Sequence, residues 1–235
     1  MLRAYLFLMF FIPLTFAFAA IALVCTLFDG TGSAYHLIAC AWSSVSLRMG
    51  GVSVEVAGRE NVPENVPVIY MSNHQSNFDI LALYQAIPRK FSWIAKEELF
   101  SYPIFGHSMR RAGYIPLDRS DGRKSLRSMV AAAARINQGV SVVIFPEGTR
   151  SEDGQLIPFK QGAFLLAEKA KVPIVPVSIS GSGAINPAKQ LWLKPGTIHI
   201  RFAEPISEIA QTGRKRADLM NQVRAAIEAN LETYR

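Results

Sequence analysis

The sequence predicts an α/β fold, a mostly parallel central sheet flanked by helices, preceded by an N-terminal apolar two-helix membrane motif. Three observations carry this. Short Val/Ile-rich runs alternate with helical patterns from Gly51 onward, as βαβ units require. Several of those runs are apolar without alternation, the mark of strands covered on both faces. Residues 4 to 28 hold no charged side chain over 25 positions, and about 20 apolar residues suffice for a helix to span a hydrocarbon core. The expected division is therefore a helical hairpin over residues 1–50 and an α/β domain over residues 51–235.

The first apolar run ends at Asp29-Gly30-Thr31-Gly32, a turn signal. A second uncharged run, Ser33 to Leu47, is shorter and carries Tyr35, His36, Trp42 and several Ser. That composition suits an interfacial or re-entrant helix better than a full span. Arg3 and Arg48 flank the pair, while the turn between them holds only Asp29, which favours a monotopic hairpin with both ends cytoplasmic. Arg3, an apolar stretch and Ala17-Phe18-Ala19 also loosely fit a cleaved secretory signal, but the apolar run continues well past that point.

Strands are expected at Val52–Ala57, Val66–Met71, Phe91–Ala95, Gly113–Leu117, Val140–Phe145, Ile174–Ile179 and Thr197–Phe202. A helix is expected over Ser120–Gln138, with an acidic or hydroxyl N-cap, a stripe of Leu126, Met129, Val130 and Ala133, and Gly139 as its stop. Ala163–Lys169 and Arg214–Tyr234 read as further helices, the latter with Leu219, Val223, Ala226, Ile227, Leu231 and Tyr234 on one face. Only 18% of the chain is charged against 50% hydrophobic, below the roughly 25% charge of ordinary soluble domains. A net charge of +7 fits an anionic membrane surface or an acidic ligand. The Lys and Arg are dispersed and accompany no nucleic-acid-binding motif, so no nucleic-acid partner is expected. Cys25 and Cys40 lack the spacing of a disulfide framework or a zinc site, and no metal or cofactor is expected.

Two polar motifs interrupt this pattern, each following a strand. In NHQSNFD, residues 73–79, His74 and Asp79 stand five apart. Five residues of helix turn through about 500°, so the two side chains share no helical face. They meet only if His74 lies in the loop and Asp79 in the first turn of a helix capped by Ser76 or Asn77. A carboxylate so placed fixes the imidazole tautomer and stabilises the imidazolium, which makes His74 and Asp79 a candidate general-base pair. A structural His–Asp pair in a turn is the competing reading. No GxSxG nucleophile elbow is present, so the base would act on the substrate's own hydroxyl, without a covalent intermediate.

The second motif, FPEGTRS at residues 145–151, combines a permissive Gly148, the hydroxyls of Thr149 and Ser151, and the planar fork of Arg150, which matches phosphate. Taken alone it also reads as a strand-end turn with a surface Arg.

Together these motifs resemble the glycerolipid acyltransferase family, specifically its 1-acylglycerol-3-phosphate (lysophosphatidate) acyltransferases. GYIPLDRS at 113–120 and VPIVPVSI at 172–179 are similar to further family blocks, in family order, and the likeness covers roughly residues 50–205. It implies transfer of a fatty acyl group from an acyl carrier protein or coenzyme A thioester to the sn-2 hydroxyl of lysophosphatidic acid, giving phosphatidic acid in the bilayer. It implies that His74 is the base and Asp79 its orienting acid. Glu147, Gly148, Thr149 and Arg150 would bind the acceptor, with Lys96 and Arg119 as further phosphate partners and Lys160 held more loosely. Motifs of this superfamily are shared across acceptors, so another lysolipid, such as a lyso-ornithine lipid, stays open. A non-catalytic lipid-binding membrane module is the reading from a different class. His36, His107 and His199 stand alone and read as structural.

Overall fold

The computed structural model describes residues 1–118, 121–207 and 216–231. In chain order these form α1 (Leu2–Cys25), α2 (Ser33–Gly50), β1 (Val52–Ala57), β2 (Ile69–Ser72), α3 (Phe78–Ala86), β3 (Ser92–Lys96), α4 (Phe105–Arg111), β4 (Ile115–Leu117), α5 (Gly122–Ile136), β5 (Val142–Ile144), α6 (Gln161–Ala170), β6 (Ile174–Ser180), α7 (Ser182–Ile185), β7 (Gly196–Phe202) and α8 (Arg216–Glu228). The strands make one sheet in the order β1-β7-β6-β2-β5-β3-β4. Every neighbouring pair is parallel except β6 with β7. The mostly parallel sheet flanked by helices is thus as the alternation predicts.

Alternate residues of a strand face opposite sides, and β2 shows what that does here. Ile69 and Met71 join a core with α5, α6 and α8, whereas Val68 and Tyr70 join a core with α3 and the N-terminal helices. All four are 0% exposed, and full burial of each such side chain is worth about 1.5–3 kcal/mol.

On the first of these faces α5 departs from expectation. Asp121 caps it by accepting the Arg123 N–H at 3.2 Å, but its buried stripe is Met129, Ala132, Ala133 and Ile136. Leu126 and Val130 lie on the exposed flank, so the expected stripe was rotated by part of a turn. The buried face is the i, i+3, i+4, i+7 set that holds both Met129 and Ile136. In α8 the buried residues are Leu219, Val223 and Ile227, and Ser178 in β6 donates to the Ile227 carbonyl at 2.8 Å. Tyr234, Arg214 and Lys215 of the expected helix lie outside the described residues.

On the opposite face, α2 is fastened to α3. Ser43 donates to the Leu81 carbonyl at 2.6 Å, and Gln85 donates to the Cys40 carbonyl at 2.8 Å. α1 packs beside α2, with the Trp42 indole donating to Thr15 Oγ1 at 3.0 Å. The other side of α1 exposes Met9, Phe10, Ile12 and Ile21. Among the described residues α1 is the one helix long and apolar enough to cross a membrane. Cys25 and Cys40 are free thiols.

Candidate active site

Sheet topology brings the two motifs together. β2 and β5 are adjacent and parallel, with Met71 opposite Ile144. Their carboxyl ends therefore open on one edge, where ligands of parallel α/β sheets bind. His74 lies three residues beyond Met71, and Phe145 to Glu147 lie one to three beyond Ile144. Lys96 ends β3 and Leu117 ends β4 on the same edge, since these strands continue the parallel run. Asn73 steers the exit from β2. Its side-chain amide donates to the Ile179 carbonyl and accepts the Ile179 N–H, both at 2.8 Å, standing in for backbone where β2 leaves β6.

The imidazole sits as the spacing requires. His74 is in the loop, Asp79 is the second residue of α3, and their Nδ1 and Oδ2 are 2.7 Å apart. The same Oδ2 accepts the N–H groups of Gln75 at 2.7 Å and Ser76 at 2.9 Å. Asp79 is fully buried and His74 is 14% exposed. A carboxylate accepts and does not donate, so Nδ1 carries a proton, and in the neutral ring the lone pair falls to Nε2. The ring lies flat on Phe145, centroids 3.8 Å apart and planes within 7°. That aromatic face favours the ring when it becomes a cation. Of the two expected caps, Asn77 holds the N-cap position without a side-chain bond to the helix, and Ser76 Oγ accepts the Phe78 N–H.

The 145–151 turn divides its residues between two directions. Gly148 adopts φ +73, a left-handed conformation that favours glycine. Around it, Gly148, Thr149 and Arg150 face a cavity, while Glu147 is 1% exposed and turned inward. Glu147 Oε1 accepts the His74 N–H at 2.8 Å and Oε2 accepts the Ile157 N–H at 3.1 Å. Burial pushes its carboxyl up to about 7, against the lowering effect of those two bonds. Arg150 donates to Asn77 Oδ1 at 2.8 Å and so bridges the two motifs. Lys160 passes beside Gly148; a Cβ there would lie 2.9 Å from its Cδ. Lys96 lines the cavity and pairs with Glu98 at 2.8 Å, both side chains more than half exposed. Arg119 lies outside the described residues.

The cavity has a volume of about 320 Å³. Its lining includes Arg150 beside His74 and runs ring to ring from His74 through Phe145, Trp93 and Tyr84 to Trp42 of α2, the end it shares with Thr15 of α1. His74 and Asp79 thus meet, and a largely apolar passage joins them to the N-terminal helices. The roles of Phe145 as a platform and of Asn77 as a tether for Arg150 went unread in the sequence. Both residues stand within quoted motifs, but only the parallel pairing of β2 with β5 shows what they touch. Among the described residues no group of three His, Cys, Asp or Glu could hold a metal ion.

A family model described as Acyltransferase matches residues 53–180. Similar curated proteins include the chloroplastic 1-acyl-sn-glycerol-3-phosphate acyltransferase BAT2 of Brassica napus, 37% identical over 73% of this chain and 50% of its own length. The chloroplastic 1-acyl-sn-glycerol-3-phosphate acyltransferase LPAT1 of Arabidopsis thaliana is 36% identical over 84% and 54%. The 1-acyl-sn-glycerol-3-phosphate acyltransferase beta of Homo sapiens is 33% identical over 82% and 70%. The chain thus spans about half the length of the plant relatives it matches. The crystal structure of the 1-acyl-sn-glycerophosphate (LPA) acyltransferase PlsC from Thermotoga maritima shares the fold, with a TM-score of 0.84 over 97% of this chain and 94% of that one, at 24% identity. By the family model and by the relatives that match it over most of their length, the chain belongs to the acyltransferase family.

Proposed function

We propose that this protein moves a fatty acyl group from an acyl carrier protein or coenzyme A thioester to the sn-2 hydroxyl of lysophosphatidic acid, forming phosphatidic acid. One observation carries the reading: an imidazole with Nδ1 locked by a buried carboxylate and Nε2 left as a base, at the polar end of an apolar cavity. The names of the curated relatives supply the acceptor.

In this reading His74 Nε2 takes the hydroxyl proton as the oxygen attacks the thioester carbonyl. The imidazolium is stabilised by Asp79 and by the face of Phe145. The tetrahedral oxyanion rests on the backbone N–H groups of Thr149 and Arg150, because those of Gly148 and Ser151 are taken by the Phe145 and His74 carbonyls. Collapse expels the thiolate, which takes the proton back from His74, so the base is regenerated and no acyl-enzyme forms. Arg150, with Gly148 and Thr149 beside it, receives the acceptor phosphate; Lys96 and Arg119 add positive charge. The acyl chain of the thioester lies along the cavity, its carbonyl at the His74 end.

Residues 1–50 seat the protein on the cytoplasmic face of a bilayer and residues 51–235 perform the transfer. The exposed apolar side of α1 supports this seating, because acceptor and product both live in lipid. The test is a panel of lysolipid acceptors with acyl-carrier-protein and coenzyme A donors, products identified by mass spectrometry, for wild type and His74→Ala. Phosphatidic acid from wild type and a loss of about 10²–10⁴-fold in the variant are expected. Transfer only to a lyso-ornithine lipid would reassign the acceptor, and wild-type rates in His74→Ala would reject the base.

A further inference from the structure

Family resemblance places Glu147 among the acceptor-binding residues, yet its side chain does not reach the cavity. It is 1% exposed, and each carboxylate oxygen is committed to a backbone N–H, one of His74 and one of Ile157. A carboxylate facing a phosphate monoester would in any case repel it, since like charges at contact distance disfavour each other.

We infer that Glu147 is a positioning residue that clamps the backbone of the base, and that it does not contact the acceptor. This deepens the acyl-transfer reading and rests on it. The His74 backbone is held from both sides by the second motif. Glu147 accepts its N–H at 2.8 Å, and the Ser151 N–H donates to its carbonyl at 2.8 Å. The left-handed Gly148 lets the chain reverse between these two contacts, so that one short turn grips the loop while residues 148–150 face the substrate. The clamp is backed from a distance. Arg224 of α8 donates to the carbonyls of Leu156 at 2.9 Å and Ile157 at 3.2 Å, fixing the segment whose N–H engages Glu147. The side chain of His74 is set by Asp79 and its backbone by Glu147, two acids with separate tasks. Burial favours the protonated form of Glu147 and Asp79 nearby does the same, while Arg224 opposes them. The N–H bonds ask for the ionised form.

Glu147→Gln tests this in the full-length protein. The amide has one oxygen, so its NH₂ must face one of the two backbone N–H groups, donor against donor. Loss of a backbone bond to a charged group predicts a fall in kcat of about ten- to hundredfold. KM for the phosphate acceptor should stay within about twofold, because no substrate contact is removed. Amide hydrogen exchange at 73–76 should accelerate by more than the accompanying fall in Tm accounts for. Glu147→Asp retains the charge but cannot span both N–H groups, and should show the same split. A raised KM with kcat retained in either variant would overturn the clamp. So would unchanged exchange at 73–76, or a loss of activity that follows Tm alone. Should wild type transfer no acyl group, the functional reading fails, but the exchange measurement still decides whether Glu147 holds the loop.

Discussion

The two ends of the cavity are built by opposite means. At the polar end nearly every group is fixed by a short-range bond: one oxygen of Asp79 accepts three N–H donors, and Asn73 and Glu147 each take two backbone partners. At the apolar end, shape comes chiefly from the packing of α1 against α2, where the Trp42 indole donates to Thr15. The first end sets a geometry to within a fraction of an ångström, as proton transfer demands. The second sets a volume, as accommodating a hydrocarbon chain demands. Substitutions at the polar end should therefore change rate steeply, and substitutions at the apolar end should change chain preference gently.

The largest effect should come from Asp79→Asn. The amide oxygen can occupy the place of Oδ2 and still accept from His74, Gln75 and Ser76. Its NH₂ then takes the place of Oδ1, a buried oxygen with no hydrogen-bond partner in the protein. An unsatisfied buried donor costs about 1–3 kcal/mol of stability, so the fold should survive. The negative charge that stabilises the imidazolium is gone, and kcat should fall by about 10²–10⁴-fold. Single-turnover rates with thermal unfolding on the same samples check this. A rate within tenfold of wild type would mean that the precise polar end does less than its geometry suggests.

Arg150→Ala should act next in size and differently. Removing a guanidinium from a phosphate loses a charge-assisted bond worth about 1.5–3 kcal/mol, or roughly ten- to hundredfold in acceptor KM. Asn77→Ala removes only the tether that holds Arg150, a neutral acceptor on an exposed contact, and should raise KM a few-fold. If Asn77→Ala matched Arg150→Ala, the tether and not the charge would govern acceptor binding.

The same contrast explains what could be read from the sequence. The seven strands were legible because β-branched runs such as Val142–Ile144 bury both faces and show it locally. The meeting of His74 with Asp79 was legible because five residues of spacing permit it in one way only. The contact of Glu147 was not legible: only the parallel register of β2 with β5 aims its carboxylate at the His74 backbone. The antiparallel pairing of β7 with β6 carries no local signal either, since Gly196–Phe202 pairs parallel with β1 on one side and antiparallel with β6 on the other. The stripe of α5 was misjudged for a related reason. Leu126 and Val130 are more apolar than Ala132 and Ala133, but the face that buries Met129 together with Ile136 carries the two Ala. Most distant from sequence reading is the cavity wall, where Phe18, Trp42 and Tyr84 come from three separate helices.

That wall carries the gentlest prediction. Trp42 meets Tyr84 edge-on, ring centroids 6.3 Å apart, and is partly buried at the apolar end. Trp42→Ala should lengthen or widen the cavity without touching His74, Asp79 or the turn that faces the acceptor. Each further methylene buried is worth about 0.8 kcal/mol, close to fourfold in kcat/KM. Competition between thioesters of different length should then show preference moving towards longer chains, by about fifteenfold for two added carbons, with the best rate kept near that of wild type. Thr15→Val is the control, because it removes the hydroxyl that accepts from the indole yet keeps the branched shape of the wall. It should leave the chain-length profile where it was. A profile unmoved in Trp42→Ala would show that the hydrocarbon lies elsewhere, and with it the division of labour between the two ends would lose its apolar half.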